Sequence, residues 1–301
     1  MREASMTSWL TSFPQLSDSL LRALQRSIDN GFRSFTRSYG DLIEGFFSPL
    51  QTLLIWFERL LLGTPWPVIL LVVAGLAWGA SRSLRVVIGS VLTLVLIGLF
   101  GMWADTMKTI SMVLAATLLS IAIGLPLGVL MARSARVQRV VSPILDIMQT
   151  MPSFVYLIPV VMLLGIGRVP GLIAVVIYAL PPMIRLTNLG IRQVDPEVLE
   201  ATDAFGSSAW QKLVKAQLPL ALPTIMAGIN QTIMMALAMV VIASMIGVQG
   251  LGQPVLRAIS NQYFTLGLFN GFAIVGIAIL FDRISQAWGK RLQKHREASH
   301  D

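Results

Sequence analysis

The residues of this chain best suited to recognition chemistry form a polar segment, residues 195–219, between two long apolar stretches. It reads DPEVLEATDAFGSSAWQKLVKAQLP and contains four carboxylates and two lysines. Asp195 precedes a proline, a pattern typical of a helix start, and Gly206 suits a left-handed helix stop. Ser208 and Gln211 have the spacing of a capping box. The segment therefore predicts two short helices joined by a tight turn, the form of a docking element for another protein.

The rest of the chain has the composition of a membrane protein. Of 301 residues, 55% are hydrophobic and only 13% are charged, and the mean hydropathy is +0.73. Soluble domains carry about 25% charged residues. Runs of about 20 apolar residues cross a bilayer as helices, so we predict an all-α polytopic membrane protein with about seven transmembrane helices. The predicted spans are residues 65–80, 86–103, 107–132, 144–165, 170–187, 219–247 and 266–284.

The positive charges predict an orientation for these helices. One set of connections contains 14 Lys and Arg residues, and the connections on the opposite side contain three. The Lys- and Arg-rich connections are residues 81–85, 133–139, 185–215 and 283–296. Cytoplasmic loops are enriched in Lys and Arg, so the polar segment and the C-terminus are predicted to face the cytoplasm. Residues 1–64 are then an extracytoplasmic N-terminal region.

This N-terminal region is predicted to end in an amphipathic helix. Ser48 suits the N-cap, and Gln51 completes a capping box. The large apolar residues that follow share one helical face, while Glu58 and Arg59 lie off it. We predict that residues 48–62 lie in the membrane interface. An eighth transmembrane span is the alternative.

The predicted spans contain no interior chain of ionisable groups. The charged residues that fall closest to them lie near their ends: Asp105, Lys108, Asp146, Arg185, Asp282 and Arg283. Ion-coupled carriers bury such groups within their spans, so ion-coupled transport is poorly supported. The chain also has no GxxxxGK[ST] phosphate-binding loop and no catalytic cluster of the kind that a membrane enzyme needs. We predict no catalytic residues, no metal site and no cofactor bound by this chain.

Three polar residues are candidates for a translocation path: Tyr156, Asn230 and Gln231. The last two and Thr232 lie near the middle of the sixth predicted span, where they either line a path or join helices by hydrogen bonds. Tyr156 lies in TMPSFVYLIP, residues 150–159. The two prolines of that stretch bend the fourth span, either as a hinge or as tolerated kinks.

The polar segment resembles the cytoplasmic "EAA" motif of permease subunits of binding-protein-dependent ABC importers. The motif is Glu-Ala-Ala, three residues, Gly, nine residues, Ile, one residue and Leu-Pro. This chain has EAT at residues 200–202, then Gly206, and LP at residues 218–219. Thr202 and Ala216 replace the usual alanine and isoleucine.

Most of residues 105–285 is similar to the glycine betaine, proline betaine and choline branch of these permeases. The matching stretches are residues 149–167, 178–201 and 217–247. The resemblance implies an ABC importer permease fold, with a core at residues 105–288 after two spans at residues 65–104. The basic cytoplasmic tail, residues 289–301, is predicted to anchor at anionic lipids, with sensing of ionic strength as the alternative.

The resemblance also implies a function: ATP-driven import of glycine betaine, choline or a related quaternary amine across the bacterial inner membrane, by alternating access. The implied partners are a second permease copy forming a homodimer, two ATP-binding subunits that carry the ATP and Mg, a periplasmic or lipid-anchored substrate-binding protein and membrane lipids, with no nucleic acid. Glu200, Ala201 and Gly206 are the implied core of the ATPase-coupling site, with Asp203 and Phe205 as supporting contacts. A permease for another small solute and an ion-coupled carrier or channel are the alternatives.

Overall fold

The computed structural model describes residues 15–297, with the side chains of residues 41, 44 and 292–297 excepted. All regular elements in this part of the chain are helical. They are α1 (Asp18–Gly63), α2 (Trp66–Ser81), α3 (Leu84–Leu99), α4 (Trp103–Arg133), α5 (Ala135–Thr150), α6 (Ser153–Leu164), α7 (Arg168–Arg192), α8 (Pro196–Ala204), α9 (Ala209–Lys212), α10 (Leu218–Ala243), α11 (Gly252–Asn261) and α12 (Phe264–Glu297). The chain divides into two compact units between Phe47 and Ser48.

The first helix begins much earlier than the sequence predicted. α1 starts at Asp18, so Ser48 and the proline after it lie inside the helix rather than at its start. The apolar residues Leu20, Leu24 and Ile28 already recur at helical spacing, which is the signal that the predicted boundary overlooked. The prediction was wrong because a capping pattern can occur within a helix when the preceding residues also favour helix.

The apolar face predicted for residues 48–62 packs on protein. Leu54 is only 2% exposed, and Leu50, Leu53 and Phe57 contact the main hydrophobic core. The interfacial prediction assigned this face to lipid, whereas the structure places much of it against the core of the second unit. An apolar face predicts burial in a non-aqueous surrounding, and does not distinguish lipid from protein.

The predicted spans all overlap helices, but these helices do not form seven uniform crossings. By length and composition, α4, α7, the continuous helix Ala209–Ile246 and α12 suffice individually to cross a membrane. Two bent pairs, α1 with α2 and α5 with α6, raise the count to six if each pair is one span, and α3 is a shorter apolar helix of 16 residues. These criteria give four to six spans besides α3, and the count of seven stays a prediction.

The fourth predicted span, residues 144–165, is broken in the middle. α5 and α6 lie at 101° to one another, with the break at Met151 and Pro152. Met151 adopts an extended conformation (φ −67°, ψ 134°), as expected of a residue that precedes proline. The first proline of this stretch thus ends a helix, while Pro159 is accommodated inside α6.

The basic tail is partly engaged with protein. Arg291, near the end of α12, donates a hydrogen bond to the carbonyl oxygen of Gly79, close to the C-terminus of α2. An arginine in this position satisfies one of the free carbonyl groups at a helix end. Lys290 of the predicted anchor is exposed on α12, and Lys294 and Arg296 lie outside the described side chains.

Helix α7 lies at the centre of the second unit, between α4 and α10. Glycines bring the three helices into close contact. A Cβ atom on Gly128 of α4 would lie 2.6 Å from Cβ of Thr187 on α7, and a Cβ atom on Gly190 of α7 would lie 2.9 Å from Cβ of Thr224 on α10. Small residues are typical of helix contacts in membranes, where dispersion between closely packed backbones drives association. The packing therefore fixes α7 against both neighbours.

The close contact at Gly128 yields a prediction for stability. Gly128→Ala places a methyl group 2.6 Å from Thr187 and 2.8 Å from the carbonyl oxygen of Ile184, and overpacking of this kind costs about 1–3 kcal/mol. We expect a lower melting temperature for the purified protein. Gly75→Ala is the control, because its Cβ atom would have no neighbour within 4 Å. Equal melting temperatures for the two variants would contradict the packing described.

Candidate functional site

The polar segment folds into a helical hairpin, residues 195–212, which we call the polar hairpin. Its first arm is α8, which Asp195 caps by accepting a hydrogen bond from the backbone N–H of Glu197 at 2.9 Å. Its second arm begins with a capping box, in which the backbone N–H of Ser208 donates to Oε1 of Gln211 at 2.8 Å and the backbone N–H of Gln211 donates to Oγ of Ser208 at 3.3 Å. Both predicted helix starts are confirmed.

The turn between the arms depends on Gly206. This residue adopts φ +74°, the left-handed conformation predicted for the helix stop. Its backbone N–H donates to the carbonyl oxygen of Asp203 at 2.9 Å, and the backbone N–H of Ser207 donates to that of Thr202 at 3.1 Å. A Cβ atom on Gly206 would have no neighbour within 4 Å, so the requirement for glycine is conformational rather than steric.

The second arm differs from the prediction, because it does not end before the next span. α9 continues through a π turn, Leu213–Gln217, directly into α10, and Ala209–Ile246 forms one helical run of 38 residues. The wide turn ends two residues before Pro219, which has no N–H for the regular backbone bond. Pro219 therefore does not mark a new start, and the second arm is continuous with the span.

The tip of the polar hairpin presents apolar side chains to solvent. Phe205 is 90% exposed and Trp210 is 66% exposed, and Glu200 and Ala201 are exposed beside them on α8. Exposed aromatic side chains in a polar surrounding are typical of contact sites for other proteins. Sequence reasoning missed Trp210, although its position in the first turn of a capped helix was available as a signal.

Asp203, which the resemblance implies as a supporting contact for the ATPase, also makes a contact within the polar hairpin. Its carboxylate forms an ion pair with Nζ of Lys212 on the opposite arm. The pair braces the turn from within the polar hairpin. Its partner Lys212 was not among the predicted site residues, because the two come together only when the turn closes.

The residues that directly flank the polar hairpin, which we call its base, are buried, in contrast to its tip. Val194, Leu213 and Ala216 are at most 9% exposed. Just before the first arm, Nη2 of Arg192 donates to the carbonyl oxygen of Met131 at 3.0 Å, near the C-terminus of α4. The base is thus held by α4, α7 and α10 together, while the tip projects.

Asn230 joins two helices. Its Nδ2 donates to Oδ1 of Asp282 at 3.0 Å, and Oγ of Ser285 donates to its Oδ1 at 2.5 Å, which links α10 to α12. Gln231 is exposed, and Thr232 is fully buried. Of the two interpretations of this polar group, the helix-joining one describes Asn230.

Tyr156 holds the bend between α5 and α6. Its hydroxyl donates to the carbonyl oxygen of Met148 on α5, and its ring packs edge-on against Tyr178 of α7, with centroids 6.1 Å apart. Tyr156 is 6% exposed. Its partners are not those of Asn230, so these contacts do not gather the predicted path residues into one site. Sequence reasoning missed the tyrosine pair, because 22 residues separate its members.

The other end of α7 has a polar cluster that the sequence did not reveal. Nη1 of Arg168 donates to Oε2 of Glu58 at 2.5 Å, and Nη2 of Arg168 donates to Oε1 of Gln249 at 2.9 Å. The cluster joins the C-terminal part of α1 to the start of α7 and to the loop after α10.

Comparison with known proteins identifies related chains. The family model described as "Binding-protein-dependent transport system inner membrane component" matches residues 124–294. The glycine betaine/proline betaine transport system permease protein ProW of Escherichia coli (strain K12) is 46% identical over 292 residues, which cover 94% of this chain and 82% of that protein. The glycine betaine/carnitine transport permease protein GbuB of Listeria monocytogenes serotype 1/2a is 51% identical and covers 75% of this chain and 81% of that protein.

A solved structure has the same fold. A chain from an inward-facing conformation of the MetNI methionine ABC transporter superposes with a TM-score of 0.57 at 22% identity, and the match covers 62% of this chain and 93% of that one.

The capping box at the second arm yields a prediction for local stability. Ser208→Ala removes the side-chain oxygen that accepts from Gln211, and loss of an N-cap costs about 1 kcal/mol. We expect amide hydrogen exchange in residues 209–212 to accelerate about fivefold, as measured by mass spectrometry. Ser207→Ala is the control, because it leaves both capping bonds in place. Unchanged exchange in Ser208→Ala would show that the cap does not hold this arm.

Proposed function

Because this chain belongs to the family of inner membrane components of binding-protein-dependent transport systems, we propose that its polar hairpin is the site where a separate ATP-binding subunit drives transport. The chain itself is a permease subunit. The observation that carries the proposal is Phe205, 90% exposed at the tip of an element whose base is buried. An exposed aromatic anchor on a rigid support is the form expected of an energetic hot spot in a protein interface.

The shape of the polar hairpin suits a groove on the partner. α8 is a short helix with Val198, Glu200 and Ala201 accessible along it, and small side chains such as Ala201 let a groove wall approach closely. Helices commonly bind in this way, with apolar anchors in the groove and charges at the rim. We assign Glu200, Ala201 and Phe205 to the contact surface. Gly206 sets the turn that presents them, and Asp203 supports that turn through its ion pair.

The connections of the polar hairpin explain how movement of the partner reaches the membrane. Its first arm follows α7 after only three residues, and its second arm is continuous with α10. A displacement of the tip is therefore delivered to two packed helices rather than absorbed by a loop. Packed helix interfaces shift between discrete arrangements instead of deforming continuously, which is the behaviour that alternating access requires.

The family also supports a larger assembly. We propose a homodimer of this chain with two ATP-binding subunits, which hold the ATP and Mg, and a substrate-binding protein at the other membrane face. The four Lys and Arg residues of the connection at residues 185–215, as part of the Lys- and Arg-rich set, support a cytoplasmic placement of the polar hairpin. The N-terminus would then be extracytoplasmic and the C-terminus cytoplasmic.

The proposed substrate is glycine betaine or a related quaternary amine such as choline. The support is that ProW and GbuB, which are 46% and 51% identical to this chain, both carry glycine betaine in their names. A second candidate is trimethylamine N-oxide, because the permease TmoV of Ruegeria pomeroyi is 35% identical over 280 residues. Both candidates are small molecules with a methylated nitrogen.

The exposed anchor yields a prediction for assembly. Phe205→Ala removes the aromatic side chain from the tip without touching a buried contact, and loss of an interface hot spot costs about 2 kcal/mol or more. We expect the amount of ATP-binding subunit that co-purifies with the permease to fall at least about tenfold. Phe272→Ala is the control, since Phe272 is 62% exposed on α12, away from the polar hairpin. Wild-type recovery of the partner with Phe205→Ala would reject the assigned contact.

The proposed function as a whole is tested by reconstitution. Proteoliposomes containing this chain and its ATP-binding subunit, with the substrate-binding protein supplied on the outside, are expected to accumulate labelled glycine betaine only when ATP is enclosed. Unlabelled choline and trimethylamine N-oxide serve as competitors that rank the substrates. Uptake driven by a sodium or proton gradient without ATP would instead establish an ion-coupled carrier.

A further inference from the structure

A cleft between α3 and α12 is lined by two arginines and by mostly apolar residues. Its volume is about 350 Å³. Arg85 and Ser90 line it from α3, and Leu280 and Arg283 line it from α12. Two guanidinium groups from different helices therefore share a cleft that is otherwise largely apolar.

The two arginines lack carboxylate partners. Among the described side chains, neither Arg85 nor Arg283 belongs to an ion pair, whereas Arg168 and Arg185 each pair with a carboxylate. The nearby carboxylate of Asp282 instead accepts hydrogen bonds from Asn230 and from a glutamine one turn later. The cleft thus has two exposed cations whose charge no described carboxylate neutralises.

The cleft has open space beside Gly89. A Cβ atom on Gly89 would meet no atom within 4 Å, although Gly89 lines the cleft together with the buried residues Ser90 and Leu280. Space above a glycine beside apolar walls admits a hydrocarbon chain or a glycerol group. Two arginines that only extended their charged groups to the membrane surface would not require an open space between the helices.

We propose that this cleft binds an anionic membrane phospholipid, with the phosphate between Arg85 and Arg283 and an acyl chain along the apolar walls. Guanidinium groups bind phosphate through paired, charge-assisted hydrogen bonds. Basic pockets between transmembrane helices are suited to anionic headgroups. A soluble phosphate would contact the arginines but not the apolar walls. A lipid would contact both, so the cleft favours a lipid. The proposal does not depend on the identity of the transported solute.

The test is native mass spectrometry of the full-length permease in detergent, titrated with phosphatidylglycerol or with phosphatidylcholine. Wild type is expected to retain phosphatidylglycerol in preference to phosphatidylcholine. R85Q/R283Q is expected to retain it about 10- to 30-fold less well, because each cation near an anionic lipid contributes roughly fivefold. The control R136Q/R139Q removes the same charge from α5, outside the cleft, and is expected to behave like wild type.

A second variant tests whether the space in the cleft, and not only its charge, is needed for lipid binding. Gly89→Leu fills the open space beside this residue, keeps both arginines and replaces glycine by a better helix former, so the fold is expected to persist with a melting temperature no lower than that of wild type. It should lose phosphatidylglycerol as R85Q/R283Q does. Equal loss in the control pair, wild-type retention by Gly89→Leu, equal binding of phosphatidylcholine, or displacement of the lipid by inorganic phosphate at the same concentration would each overturn the proposal.

Discussion

The close packing of α7 between α4 and α10 is the constraint on which the other features depend. At Gly128 and Gly190 the helices approach until a single added methyl group would collide with a neighbouring side chain. Arg192 extends this contact beyond the helix ends by bonding the carbonyl oxygen of Met131. Because the helices already touch at both glycines, we expect α7 to move together with α4 and α10. On this proposal a force applied at the C-terminal end of α7 reaches both neighbours, and the contact of Arg168 with Glu58 carries it to α1.

Several local interactions stabilise the polar hairpin, and their contributions to its free energy differ. Each helix cap contributes about 1 kcal/mol, and Gly206 avoids a left-handed strain of about 1–2 kcal/mol. The ion pair between Asp203 and Lys212 contributes less, because Asp203 is 57% exposed and exposed pairs are worth about 0–1 kcal/mol. Rigidity therefore comes mainly from the caps and the glycine. The aromatic tip at Phe205 is left free to contact another protein.

The features predicted from sequence are those decided by neighbouring residues. The caps at Asp195 and Ser208 and the stop at Gly206 each depend on a few adjacent positions, so their prediction is confirmed. The break at Met151 was foreseen only as a bend, because proline predicts loss of a bond but not the angle. The contact of Arg168 with Glu58 joins residues 110 positions apart and depends on packing that no local pattern contains. The central claim is that the polar hairpin contacts the ATP-binding subunit. The hairpin itself was predicted from local residues, whereas its contact with another subunit depends on packing that no local pattern contains.

That claim is tested most directly by cross-linking, since the chain contains no cysteine. A single cysteine in Ala204→Cys, an exposed position beside Phe205 that leaves the aromatic side chain in place, is treated with a short bifunctional thiol reagent in membranes that contain the assembled transporter. It is predicted to link this chain to a cysteine introduced in the ATP-binding subunit. The same reagent with Ile259→Cys, where Ile259 is 72% exposed on α11, is predicted to give no such product. A link from Ile259→Cys and none from Ala204→Cys would contradict the account.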